Sequence, residues 1–169
     1  MKINSNIFKS YDIRGIYPSE LNEESAFEIG RAFARQNNVK KAIIGRDARL
    51  SSPLLFNELA KGILAEGGQV FDIGQTLTEC LYFAVGNYGF DAGIMVTASH
   101  NPKDYNGFKM LKKAGNNLHG LCPLAVPDIT CPIVLTPRSC IIESCTQLFL
   151  APVSIKAIPI FGCGIVCPV

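Results

Sequence analysis

Residues Thr97-Ala98-Ser99-His100-Asn101-Pro102 follow directly on the apolar run Gly93-Ile94-Met95-Val96, which sets a serine where a strand gives way to a loop. In α/β proteins the ends of such strands are where ligands bind and chemistry is done. A serine hydroxyl ionises far above neutral pH and is a poor nucleophile alone. Phosphoryl transfer through it needs positioning, a proton acceptor and positive charge or a metal. His100, Lys103 and Lys109 are local sources of that charge. The combination points to a hydroxyl that carries a phosphoryl group rather than one that attacks an ester. Once phosphorylated, Ser99 would carry about −1.5 to −2 charges, best held by backbone N–H groups of the turn and a metal ion. The same string also fits a plain Ser/Asn/Pro turn with His100 as a surface residue.

The segments around this serine alternate between helix and strand patterns from residue 21 to 112, which predicts a layered α/β sheet. Asn22 is a plausible N-cap; Glu23 and Glu24 suit the positive end of the following helix, and Ala26, Ile29, Gly30, Phe33 and Ala34 recur at helical spacing. Asn37-Asn38 end that helix. Val39 to Ile44 reads as a strand, with Gly45-Arg46-Asp47-Ala48-Arg49 as the loop at its C-terminal end. A second helix is capped by Ser51 or Ser52, takes Pro53 in its first turn, buries Leu55, Leu59 and Ile63, and stops at Gly67-Gly68. Gln69 to Ile73 is the next strand. Thr76 or Thr78 can cap a third helix with Leu81, Ala84, Val85 and Tyr88 as its apolar stripe. Ala92 to Val96 is the strand that delivers Ser99. Gly107 to Lys112 alternates apolar and basic residues, as a last strand with one wetter face does, and the sheet is expected to end there.

Composition places the chain among globular proteins: 169 residues, 48% hydrophobic, 18% charged. A net charge of +2 without a clustered basic face argues against nucleic acid or an anionic membrane as a partner. No apolar run reaches the roughly 20 residues that span a bilayer, and Met1 to Asn6 begins no signal peptide, so the expected location is the cytoplasm.

These averages conceal a break near Gly120. Six of the seven cysteines and seven of the ten prolines lie beyond it, while charge falls to Asp128, Arg138, Glu143 and Lys156. About a quarter of residues is the usual charged share. Prolines recur too often in this stretch for a helix longer than two or three turns. Among the tail cysteines only Cys163 and Cys167 are spaced like a ligand pair, with no second pair or histidine after them, which weighs against zinc. A disulfide framework belongs to secreted mini-domains, and no export signal precedes this one.

Four strings in order resemble the α-D-phosphohexomutases, the phosphomannomutase/phosphoglucomutase family. They are Tyr11-Asp12-Ile13-Arg14-Gly15; Gly45-Arg46-Asp47 with Arg49 and Ser51; Thr97 to Pro102; and Asp104-Tyr105-Asn106-Gly107-Phe108-Lys109. The resemblance runs from about Phe8 to Gly120. It implies residues 1–120 as the family's first domain, a three-layer α/β/α unit with a mixed sheet. It implies Ser99 as the phosphoserine, with Arg14, His100 and Lys109 as its catalytic companions. Tyr11, Arg14, Asn101 and Lys109 are implied as phosphate or substrate contacts. The Gly45-Arg46-Asp47 string reads as structural, an Arg/Asp pair at a strand end that fixes loops by hydrogen bonds. The implied reaction moves a phosphoryl group between the 1- and 6-positions of a hexose phosphate, with Mg²⁺ bound through the Ser99 phosphate and through ligands from later segments.

The Asp-Gly-Asp-Gly-Asp-Arg string that holds Mg²⁺ in the family does not occur in these 169 residues. Nor do the sugar-reading and C-terminal phosphate loops of its domains II–IV. The chain alone is therefore expected to be inactive. Residues 121–169 are expected to be a non-homologous, poorly ordered tail, with translation in a wrong reading frame as the reading that best explains its composition. The alternative function is a non-enzymatic module that binds a sugar phosphate or a partner chain.

Overall fold

The computed structural model describes residues 3–114, 117–120, 134–135 and 156–158. After a 3₁₀ turn at Ser5–Ile7, the elements in chain order are β1 Ile13–Ile16, α1 Glu23–Asn37, β2 Lys41–Arg46, α2 Ser52–Ala65, β3 Gln69–Gln75, α3 Thr78–Asn87, β4 Ala92–Val96, β5 Tyr105–Ala114, β6 Asn117–Gly120, β7 Val134–Leu135 and β8 Lys156–Ala157.

β2 runs parallel to β3 and β4 at the centre, and β5 lies antiparallel to β4. The sheet is therefore mixed, in the order β7-β6-β5-β4-β2-β3-β8. β1 shares one side of β5 with β6: it pairs with Tyr105 to Phe108, and β6 with Leu111 to Ala114. The expectation that the sheet stops near Lys112 is corrected. β5 continues to Ala114, and β6, β7 and β8 extend the sheet at its two edges, β8 pairing with Phe71 and Asp72 of β3. The remaining residues of the segment expected to be a poorly ordered tail lie outside the described ones.

The central strands are apolar on both faces, as buried parallel strands must be. Alternate side chains feed two cores. Ala42, Ile44, Ile94 and Val96 pack with Ile29 and Phe33 of α1 and Leu55, Leu59 and Ile63 of α2. Ile43 and Met95 point the other way, into a cluster with Leu81, Ala84 and Val85 of α3. This is the three-layer α/β/α arrangement, with α1 and α2 on one face and α3 on the other.

The cap of α1 is as read: the Asn22 side chain accepts from the Ser25 amide, Ser25 Oγ accepts from the Asn22 amide, and Asn38 closes the helix at φ +48°. Other boundaries differ. The first core strand begins at Lys41, not Val39, because the chain leaves α1 through Asn38 and buries Val39 under the helix end. Ser51 occupies the cap position of α2 without a capping bond, its hydroxyl accepting instead from Asn106 Nδ2 at 2.7 Å. The cap position of α3 is Leu77, so neither Thr76 nor Thr78 caps it, and Tyr88 faces solvent rather than the core. The first motif runs into a strand that the sequence pattern did not predict, since Ile13 to Ile16 take their extended pairing from β5.

Candidate active site

β4 ends at Val96, and its chain turns away at a buried Thr97. The Thr97 amide donates to the Gly107 carbonyl of β5 at 2.9 Å, which fixes the two stems of the loop side by side. Ser99 then sits exposed at φ +57°, in the left-handed region. For a non-glycine residue that conformation costs about 1–2 kcal/mol, so the surroundings must hold it. Thr97 Oγ1 accepts from the Ser99 amide at 2.9 Å, and the Asn101 amide donates to Ala98 O at 3.1 Å. Ser99 Oγ and His100 Nδ1 are 3.3 Å apart, a long contact whose donor depends on the tautomer.

β1 brings the second predicted residue to the same place. Arg14 stands opposite Gly107 in the β1–β5 register. A Cβ on Gly107 would lie 2.1 Å from the Ile13 carbonyl oxygen, so only glycine allows β1 this close. Arg14 Nε donates to Asp12 Oδ2 at 2.7 Å and Nη1 to Asn101 Oδ1 at 3.0 Å. Asp12 is buried, and its charge is matched by Arg14. Tyr82 of α3 lies near this pair: burial pushes its phenol up, and the carboxylates of Glu79 and Asp12 push the same way.

Lys109 stands opposite Met95 on β5, half-buried, on the face of the sheet that α3 covers. Arg14 shares that face, because its partner Gly107 is two residues before Lys109 on the same strand. The Lys109 side chain makes no hydrogen bond or ion pair among the described residues. Tyr11 is 65% exposed and touches none of the other predicted residues through a hydrogen bond among the described ones. The structure thus brings Arg14, Asn101, Ser99 and His100 together, places Lys109 on the adjoining face, and leaves Tyr11 at the rim.

Arg49, named in the second string but given no role among the expected site residues, holds the loop. Its side chain is only 15% exposed, and its five N–H groups meet five acceptors. Nε donates to Asp47 Oδ2 at 3.2 Å, Nη1 to the carbonyls of Pro102 and Tyr105 at 2.7 and 3.0 Å, and Nη2 to those of Ser99 and Asn101 at 3.0 and 2.7 Å. Asp47 is held in turn by Ser52 Oγ at 2.6 Å and by the Arg49 amide. Buried Asn106 joins both hydroxyls, Ser51 at 2.7 Å and Ser52 at 3.0 Å. The structural reading of the second motif therefore stands with different partners. Arg46, adjacent to Asp47 in sequence, pairs with Asp72 at 2.7 Å and lies over the Phe56 ring, while Asp47 pairs with Arg49.

Beside the loop is an open depression of about 1000 Å³ lined by Tyr17, Arg49, Leu50, Leu54, Lys103 and Asp104 among others, but not by Ser99. Among the described residues no cluster of three or more His, Cys, Asp or Glu could hold a metal. Asp12 and Asp47 are both engaged by arginines. The residues present therefore do not by themselves fit the Mg²⁺ that the resemblance implies, beyond an oxygen of a Ser99 phosphate. No helix among the described residues is long and apolar enough to cross a membrane.

Comparison with known proteins agrees with this arrangement. Residues 5–120 match the family model for phosphoglucomutase/phosphomannomutase, alpha/beta/alpha domain I. The chain is 47% identical over 117 residues to a phosphomannomutase of Salmonella montevideo, covering 69% of this chain and 26% of that protein. A Klebsiella pneumoniae phosphomannomutase is 46% identical over 113 residues, 67% of this chain and 72% of that one. The crystal structure of a phosphoglucomutase/phosphomannomutase family protein from Burkholderia thailandensis superposes with a TM-score of 0.59 at 43% identity, over 64% of this chain and 26% of that chain. The chain spans about a quarter of the length of most of these relatives. With the domain model covering more than half of its residues, the chain belongs to the phosphoglucomutase/phosphomannomutase family through that family's first α/β/α domain.

Proposed function

We propose that this chain is the phosphoryl-carrying domain of a phosphohexomutase, with Ser99 as the carrier. The observation that supports this most is an exposed serine held in a left-handed conformation at the end of a central parallel strand, with Arg14 tied to the same loop through Asn101. In the reaction we infer, a hydroxyl of a hexose phosphate attacks the phosphorus of phosphorylated Ser99. A new sugar O–P bond forms as the P–Oγ bond breaks, the attacking hydroxyl losing its proton to a nearby base while the departing Oγ takes one up to regenerate the serine hydroxyl. We assign the lost proton to His100, whose Nδ1 lies 3.3 Å from Oγ. The resulting bisphosphate turns over in the site, and its other phosphoryl group returns to Oγ, leaving the isomeric monophosphate. Arg14 and Lys109 offset charge on the moving group, and positioning supplies most of the rate in such chemistry. Mg²⁺, when bound to the Ser99 phosphate with ligands beyond those described here, would neutralise charge on it.

The test is the mass of the purified chain. A fraction should carry about 80 Da of phosphate, mapped to Ser99 and absent from Ser99→Ala. An unmodified serine, also after incubation with a hexose 1,6-bisphosphate, would favour a sugar-phosphate-binding module. These 169 residues contain no Asp-Gly-Asp-Gly-Asp-Arg string, so we infer negligible conversion of glucose 1-phosphate by the chain alone, and measurable turnover would refute that. We place the chain in the cytoplasm on the same reading. We also read residues 121–169 as the product of a shifted frame, which the coding DNA translated in all three frames will test.

A further inference from the structure

Arg49 does more in this fold than close a loop. Its guanidinium accepts nothing and gathers the carbonyl oxygens of Ser99, Asn101, Pro102 and Tyr105 on one side. In a trans peptide the N–H points opposite the C=O of the same unit, and the Ser99–His100 peptide is trans. Drawing the Ser99 carbonyl toward Arg49 therefore turns the His100 N–H away from it. That amide has no acceptor among the described residues, whereas the amides on either side are used: Ser99 N by Thr97 Oγ1 and Asn101 N by Ala98 O. A free donor is thus left one residue from an exposed serine hydroxyl, on a loop where Arg49 draws the carbonyls of Ser99, Asn101 and Pro102, which would repel an anion, to its own side.

On the reading that Ser99 is phosphorylated, we propose that Arg49 is a positioning residue: it presents the His100 backbone amide as a donor to the Ser99 phosphate by holding the loop's carbonyls on the opposite side. Arg49 does not touch the phosphate. Asp47 and Ser52 serve the same end by fixing Nε of Arg49.

The experiment installs phosphoserine at position 99 of the full chain by encoded incorporation, so that it does not depend on the chain acquiring phosphate by itself. In the parent, the His100 amide proton should move downfield on phosphorylation, and the phosphate, followed by phosphorus NMR, should take its second proton below the usual pKa of about 6. In Arg49→Ala the amide displacement should be lost and the midpoint should rise. Arg49→Lys keeps the charge but not the planar fork, and should restore the amide displacement only in part. Arg31→Ala, which removes an ion pair with Glu66 on the helical layer, should weaken folding while leaving both signals in place. A His100 amide that ignores phosphorylation in the parent overturns the proposal even if Arg49→Ala fails to fold, and so does full restoration by lysine. Failure of Ser99 to be modified in the unaltered chain would instead count against the phosphoserine reading alone.

Discussion

Arg14 Nη1 donates to Asn101 Oδ1 at 3.0 Å, joining residues 87 apart in sequence. Both are predicted site residues, and this one bond carries the first motif to the serine loop. It exists because β1 lies antiparallel on β5 with Arg14 opposite Gly107, while Thr97 is tied to that same glycine from the other edge of the strand.

Removing that arginine should cost stability as well as function. Arg14→Ala leaves Asp12 buried without its cation and Asn101 without its partner. A loss of about 1–3 kcal/mol is expected, the range for a buried polar group left unpaired. Urea denaturation measures it. Asp12→Asn in the same background should recover part of the loss, and simple additivity of the two changes would show that they do not interact.

At Ser99, glycine and alanine should separate backbone conformation from chemistry. Both remove the hydroxyl, but only glycine relieves the left-handed conformation. Relief of about 1–2 kcal/mol, less the greater freedom of an unfolded glycine, leaves Ser99→Gly about 0.5–1 kcal/mol more stable than Ser99→Ala. Equal thermal midpoints for the two would contradict the conformation described.

Between α1 and α2 the backbones meet at glycines. A Cβ on Gly62 would lie 2.1 Å from the Phe27 carbonyl oxygen, and one on Gly30 would lie 2.3 Å from that of Leu59. Alanine in a free helix gains about 1 kcal/mol over glycine, yet here overpacking against rigid backbone, about 1–3 kcal/mol or more, should win. Gly62→Ala and Gly30→Ala are therefore expected to destabilise, and a raised melting temperature for either would show that the helices are not in this contact.

Glu66 ties the same two helices at their surface and sets a pH dependence. Its carboxylate is held below the ordinary range by hydrogen bonds from Arg35 and then Arg31. A lowered folded pKa contributes stability that is present above the unfolded value of about 4.3 and is lost as pH falls through the folded one. The stability difference between parent and Glu66→Gln should therefore shrink as the solution is acidified below about pH 4. A difference that stays constant through that range would place the effect outside the carboxylate.

Much of the core was legible because it is periodic. Ala26, Ile29 and Phe33, or Leu55, Leu59 and Ile63, face one side of a helix whatever they pack against, and all six are buried as read. Val96 to Ser99 likewise announces a strand handing over to a loop. Strand β1 was not legible, since Ile13 to Ile16 are too short to show a period and gain their conformation from β5. Helix caps were missed where a hydroxyl had a better offer: Ser51 takes a bond from Asn106, 55 residues away, rather than from its own helix.

The sequence by itself determined the family, the candidate serine and the alternation of helix and strand, because these rest on residue types and on spacings within a few turns of chain. Only the tertiary structure decided what holds the serine. Arg46 and Arg49 are equally good candidates to pair with Asp47 on paper, and the choice between them depends on where β3 places Asp72 and where the turn after β4 places four carbonyl oxygens. Hydrogen bonds are directional and short, so they are settled by the packing of distant segments rather than by their order along the chain.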